Sequence, residues 1–385
     1  MKAKVVLSIL VCISITLVSS GQKIDSLNAV LDTAKADRKV KTLNELFRAY
    51  IQSDPVKALG FTREALNYAT EIGDKKGLAA SYNNLGIAYR NQGALDKALE
   101  YYITSLKIYE SLNNKEGIAT TKNNISNIYS MKRDYGQAMK YLEDSHNLFL
   151  ELNDPSKIIG SLNNLGNLHS EIQLYEKAMK YFSEANQLSE KIHAQFADPL
   201  TNMGNIFFRQ NNYQRAVEQY EKALTIERAN DNKLGILNVI TNLGITYTKA
   251  KQPKLADQYL NEAITLCDHI QAYSFLPSIY KAVGENYANQ GKFKEAYESQ
   301  LRFEDARNKI YSEESSRNIA QMEMILDFQE KEKEYEMLKK EDAIKTLELR
   351  NSRLFIVMII LGLFVILGGL NYYYLSKKKI IKKKA

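Results

Sequence analysis

An aliphatic residue followed by a very small one returns about every 40 residues along most of this 385-residue chain, a period within the range that marks repeat architectures. The step occurs as Leu85-Gly86, Ile125-Ser126, Leu165-Gly166, Met203-Gly204, Leu243-Gly244 and Val283-Gly284, evenly spaced except that the Met203 step comes two positions early. A second mark keeps the same rhythm: Ala98, Ala138, Ala178, Ala216, Ala256 and Ala296. A fixed period of this length signals stacked copies of one supersecondary unit rather than a single globular core. Counting a unit from Ala79, Tyr82 holds position 4, Leu85 and Gly86 positions 7 and 8, Tyr89 position 11, Ala98 position 20 and Tyr102 position 24. Small residues sit where two antiparallel helices cross closely, and the larger ones fill the space around the crossing. Neither helix can bury its apolar stripe alone, so the units must stack. Six full repeats span residues 78–311. A degenerate seventh lies upstream in residues 22–77, where Ala58 and Ala65 fall one period before Ala98 and Ser105 but Leu46 has no glycine after it.

The residues at positions 4, 7, 8, 11, 20 and 24 make the chain, over roughly 44–311, resemble the tetratricopeptide superfamily. The resemblance implies an all-α solenoid of helix-turn-helix repeats that binds protein or peptide on a concave face lined by first helices, at positions 2, 5, 6, 9, 12 and 13. The period here is longer than that family's usual length of about 34 residues, and the excess reads as one added helical turn plus a longer connection. Position 6 is Asn84, Asn124, Asn164, Asn202 and Asn242 in five consecutive repeats, with Asn127, Asn167 and Asn205 one turn on at position 9. Two readings of this column stay open. Its carboxamides can hold the backbone of an extended peptide, since each offers donors and acceptors, or they can bridge neighbouring repeats as a structural ladder. Basic residues on this face are few, Arg209, Lys249 and Lys281, which does not support a carboxylate-clamp mode.

The flanks carry membrane signals. Residues 1–21 read as a secretory signal peptide, with Lys2 and Lys4 before an apolar core from Val5 to Val18 and small residues before Gln22. That core is shorter than the roughly 20 residues needed to span a bilayer. Residues 312–353 contain no proline or glycine and mix both charges, which favours one long juxtamembrane helix. Its heptads are brief, so a homodimeric coiled coil, a solvated strut and a helix folded back on the array all stay open. Residues 354–375 read as a transmembrane helix, and 376–385 as a basic tail. Six lysines follow Leu375 against Arg350 and Arg353 on the other side, an asymmetry that places the carboxyl terminus in the cytoplasm. The expected location is a bacterial inner membrane, crossed once, with the array in the periplasm.

Charge and chemistry exclude several classes. Those six lysines with Lys2 and Lys4 carry +8 against a formal net charge of +7, leaving the remainder at −1. A near-neutral array argues against nucleic acid, which requires a basic face. The four histidines are dispersed without a second ligand at metal spacing, and His169 takes the tyrosine place at position 11, as a packed core residue would. Cys12 and Cys267 offer neither a disulfide framework nor a metal site. No enzyme activity and no cofactor are expected. As a whole the chain looks like the membrane-bound tetratricopeptide sensors of bacterial signalling. In those a kinase or helix-turn-helix output domain follows the span, whereas ten residues follow Leu375 here. The functional readings are therefore a membrane-anchored protein- or peptide-binding module and, as the alternative, the sensory component of a signal-transduction system acting through a separate cytoplasmic output protein, or a shortened sensor kinase or regulator.

Overall fold

The computed structural model describes residues 20–51, 54–270 and 272–382, which form fifteen α-helices and no strand. The helices are α1 (Ser20–Thr33), α2 (Ala36–Tyr50), α3 (Pro55–Ile72), α4 (Lys75–Asn91), α5 (Leu95–Ser111), α6 (Lys115–Met131), α7 (Tyr135–Glu151) and α8 (Pro155–Glu171). They continue as α9 (Tyr175–Lys191), α10 (Asp198–Arg209), α11 (Tyr213–Ala229), α12 (Lys233–Lys249), α13 (Pro253–Ile270), α14 (Leu276–Asn289) and α15 (Phe293–Lys382). The segment read as a secretory signal lies, up to residue 19, outside the described residues.

The local chemistry of the turns explains the regular lengths. A side-chain oxygen one residue before the helix caps seven of the starts; among them Asp54 accepts from the Lys57 amide, Asp74 from Gly77, Asn114 from Gly117, Asp134 from Gln137 and Asn232 from Gly235. Helix ends close through one left-handed residue, among them Asn113, Arg133, Asn153, Gln173, Asp231 and Lys251, with φ between 50° and 61°. The next amide then bonds five residues back, as from Asn114 to the Tyr109 carbonyl at 3.0 Å and from Asp134 to that of Tyr129 at 2.8 Å. From α4 to α9 every helix has 17 residues and every turn three. The excess over the family's usual length therefore lies within the two helices, and the longer connection expected from the sequence is absent. Two later first helices start late, α10 at Asp198-Pro199 and α14 at Leu276-Pro277. Proline lacks the amide proton a helix interior needs, so it is suited to the first turn.

From α2 to α13 each first helix packs against its own second helix, and each second helix from α3 to α13 packs against the next first helix. At the crossing, the missing Cβ of position 8 makes room for position 24. A Cβ on Gly86 would meet the Tyr102 ring at 2.5 Å, one on Gly204 the Tyr220 ring at 2.5 Å, and one on Gly166 the Phe182 ring more closely still. Where serine replaces glycine, Ser126 Oγ donates to the Ala138 carbonyl at 2.7 Å, and the facing residue is the smaller Leu142. Ser105 and Ser145 likewise donate to the carbonyls of Ala79 and Ala119, each at 2.8 Å, tying second helix to first. His169 is buried against Tyr181, with Nδ1 2.8 Å from the Leu165 carbonyl. Cys267 is buried too, and burial pushes its thiol up to about 11.

One joint carries a buried carboxyl. Glu227 takes the place that Tyr109 and Phe149 hold in earlier repeats and lies against Gly235, so close that a Cβ there would meet its carboxyl carbon. Burial raises its pKa, a hydrogen bond with Asn232 opposes the rise, and Asp198 adds to it. A carboxyl whose folded pKa is raised favours the fold while protonated, below its unfolded value of about 4.3, and loses that contribution as pH rises through the folded value. Glu227→Gln is therefore expected to raise the melting temperature of the array at pH 7. The gain should shrink to nothing at about pH 4. A pH-independent difference between the two melts would refute the assignment.

α15 runs without a break through residues 311 and 353, and the residues from 322 onward form a compact unit of their own. Lys340–Leu370 is long and apolar enough to cross a membrane, with a mean hydropathy of 2.6 over its most apolar window.

Candidate binding face

First helices touch one another across repeats: α2 meets α4, α4 meets α6, α8 meets α10 and α12 meets α14. Helices that reach their second neighbours line the shorter circumference of a stack, which makes this the inner face. It holds a cavity of about 700 Å³ between α2, α4 and α6. The α4 residues lining it are Lys76, Gly77, Ala80, Asn83 and Ile87, the last three at positions 2, 5 and 9, and α6 adds Thr120 and Asn124 at positions 2 and 6. Four acidic residues (Asp37, Glu45, Asp74, Glu116) and four basic ones (Lys41, Arg48, Lys76, Lys157) also line it, so its formal charge is balanced.

The asparagine column forms a ladder. Asn124 Nδ2 donates to Asn83 Oδ1 at 3.0 Å, Asn164 Nδ2 to Asn123 Oδ1 at 2.8 Å, and Asn202 Nδ2 to Asn163 Oδ1 at 3.0 Å. In these three repeats position 6 thus donates to position 5 of the repeat before it. At the amino-terminal end Asn84 Nδ2 donates to Asn44 Oδ1 at 2.7 Å, where Ser81 Oγ also donates at 3.2 Å. Asn84 is wholly buried.

The middle rungs are more open. Asn123, Asn124, Asn163, Asn164 and Asn202 are half-buried. Each rung spends one donor and one acceptor, which leaves the oxygens of Asn124 and Asn164 and the amide protons of Asn123 and Asn163 for another partner. At position 9, Asn205 Oδ1 accepts from the Tyr220 hydroxyl at 2.7 Å while its Nδ2 donates to Asn202 Oδ1 at 3.4 Å. Asn127 is half-buried and Asn167 exposed, and neither side chain bonds another described residue. Asn242 is half-buried and falls outside the ladder, because position 5 of the preceding repeat is Thr201. Sequence reasoning missed Asn44 and the position-5 acceptors. The signals were the one-period step from Asn44 to Asn84 and the repeated Asn-Asn pairs.

Antiparallel helix pairs stacked at a fixed period around a polar inner face define a helical-repeat scaffold. Tetratricopeptide-repeat profiles match residues 49–111, 77–151 and 195–268, and, for a second profile of the same description, 159–192, together more than half the chain. The chain belongs to the tetratricopeptide-repeat family. Similar solved structures include a Rap protein complexed with competence and sporulation factor, at a TM-score of 0.57 and 13% identity over 77% of this chain and 82% of that one. A signal-transduction ATPase with a tetratricopeptide repeat sensor from Pyrococcus horikoshii gives 0.56 and 18% over 79% of this chain and 46% of that one. The Rap conjugation gene regulator of plasmid pLS20, in complex with the Phr* peptide, gives 0.52 and 15% over 78% and 79%. No curated protein matches the chain.

Proposed function

We propose that the chain is a non-catalytic, membrane-anchored module that holds an extended protein or peptide segment against the first helices of its array, outside the cytoplasm. The observation that carries this reading is the half-used ladder. Repeated at the spacing of the stack, it leaves the oxygens of Asn124 and Asn164 and the amide protons of Asn123 and Asn163 for a partner, which suits the alternating amide and carbonyl groups of an extended backbone. The balanced charge of the cavity fits a ligand selected by backbone and shape rather than by sign. The structurally similar Rap regulator of pLS20 was solved with a peptide bound. The apolar stretch in α15 supports the anchoring, and the six lysines after Leu375 support the orientation. In this reading residues 1–21 are a signal peptide, 312–353 a juxtamembrane helix, 354–375 the span and 376–385 a cytoplasmic tail. The unbroken helix from the last repeat into the apolar stretch also favours a sensory version, in which ligand binding is relayed to a separate cytoplasmic protein.

Alanine substitutions separate the two duties of the asparagines. Asn124→Ala, Asn164→Ala and Asn202→Ala each remove an inter-repeat bond and should cost about 0.5–1.5 kcal/mol in array stability. Asn127→Ala with Asn167→Ala breaks no described bond, so melting should hold while capture of the partner in intact cells falls. Retention of both melting and capture in the second variant would remove the ligand role from position 9.

A further inference from the structure

The side of each second helix that faces the next repeat carries bulky apolar residues. On α7 these are Tyr135 and Met139, packed with Leu165 and Leu168 of α8; on α9 they are Tyr175 and Met179, packed with Met203 and Ile206 of α10. The following first helix covers them and leaves them half-buried. The same two positions in the last repeat are Phe293 and Tyr297, with Leu301 one turn further along α15. Nothing described covers them: they are 75%, 64% and 50% exposed. The terminal unit of a stacked array needs a polar outer face to stay soluble, yet this one keeps the pattern of an internal repeat.

We propose that the ridge formed by Phe293, Tyr297 and Leu301 is a self-association surface, covered by the same ridge of a second copy of this chain. Spaced at i, i+4 and i+8, the three form one of the rows that interdigitate in the commonest class of helix crossing, so two identical ridges can mesh. The flanking residues Lys294, Glu298, Arg302 and Glu304 hold two charges of each sign. A copy of the same surface supplies the complement to both signs, whereas a lipid surface or a strongly charged partner would select a rim of one sign. Two aromatic side chains of about 150–250 Å² each and a leucine fall short of the roughly 800 Å² per partner of a stable soluble interface. The contact therefore depends on copies held at high local concentration. α15 provides this, because the helix that carries the ridge continues into the apolar stretch and shared anchoring in one bilayer makes the encounter effectively intramolecular. The inference rests on the membrane anchoring proposed above and is independent of the ligand reading.

The test uses the full chain in its own membranes, with Tyr297→Cys, Leu301→Cys or Glu295→Cys, the last exposed on another side of the same helix. The parent chain, whose Cys267 is buried, is the blank. Under mild oxidation Tyr297→Cys and Leu301→Cys should give a band at twice the monomer mass at least tenfold stronger than Glu295→Cys. Adding Phe293→Glu to Tyr297→Cys should reduce it at least tenfold with array melting unchanged, since the side chain is exposed. Equal bands at all three positions, a band at another mass, or a band unaffected by Phe293→Glu would overturn the proposal. Fractionation of the same samples separates the two readings. A chain that pellets with membranes but does not crosslink overturns self-association alone, and one that does neither overturns the anchoring as well.

Discussion

Replacing Gly166 by leucine should disrupt the centre of the array and lower its melting temperature by many degrees. A single Cβ at this position would already collide with Cε1 of Phe182, a ring that is completely buried and has no open side to move into. Overpacking of a tight core costs about 1–3 kcal/mol and occasionally more, and a whole isobutyl group belongs at the upper end. In a linear stack each unit leans on its neighbours, so separation of α8 from α9 should also weaken the units on either side. Each kcal/mol corresponds to about 2–4 °C for a domain of 150–250 residues. Gly160 on the same helix is the control. Nothing lies within 4 Å of a Cβ built there, and Gly160→Ala should stabilise by about 0.5–1 kcal/mol, because glycine in a helix interior pays extra backbone entropy. A melting curve that Gly166→Leu leaves unchanged would contradict the packing of position 8 against position 24.

Truncation after Arg353 should move the chain from the membrane fraction to the soluble fraction completely. The segment it removes begins with the run from Leu354 to Leu370, every residue of which is apolar or glycine. Leucine, isoleucine, valine and phenylalanine each favour insertion by about 0.3–0.6 kcal/mol at the centre of a span, so their sum commits the helix to the bilayer. The full chain should resist extraction by alkali, and an epitope placed at Ala385 should survive external protease that degrades the array. An alkali-extractable full chain would remove the anchoring, and loss of the epitope would reverse the orientation.

The repeat fold was legible because the features that set it are periodic. Gly86, Gly166 and Gly204 mark the crossings, Ala98 and its counterparts mark the second helices, and a nearly constant offset aligns them. Turn geometry was less legible. Left-handed residues such as Arg133, Gln173 and Lys251 do not advertise that conformation as glycine does, so the sequence suggests a longer connection where all of the excess length is helix. The asparagine column at position 6 could be read directly, but its acceptors could not. Contact between Asn124 and Asn83 depends on the lateral offset with which one repeat stacks on the next, a quantity set by packing across the whole interface. Asn44 escaped because its repeat lacks the marking glycine. Glu227 does not show in the apolar columns, although a carboxylate aligned with Tyr109 and Phe149 is itself an anomaly. The absence of glycine and proline from 312 to 353 did announce the continuous part of α15.

The proposed binding face is tested most directly by site-specific photocrosslinking in intact cells. One probe replaces Asn167, exposed at position 9 of α8, and the other replaces Lys180, exposed on the second helix α9. If first helices hold an extended partner, the probe at Asn167 should capture a discrete protein or peptide and the probe at Lys180 should not. Capture at Asn167 should also fall when Asn127→Ala is added. Equal capture from the two positions, or capture from Lys180 alone, would contradict the account.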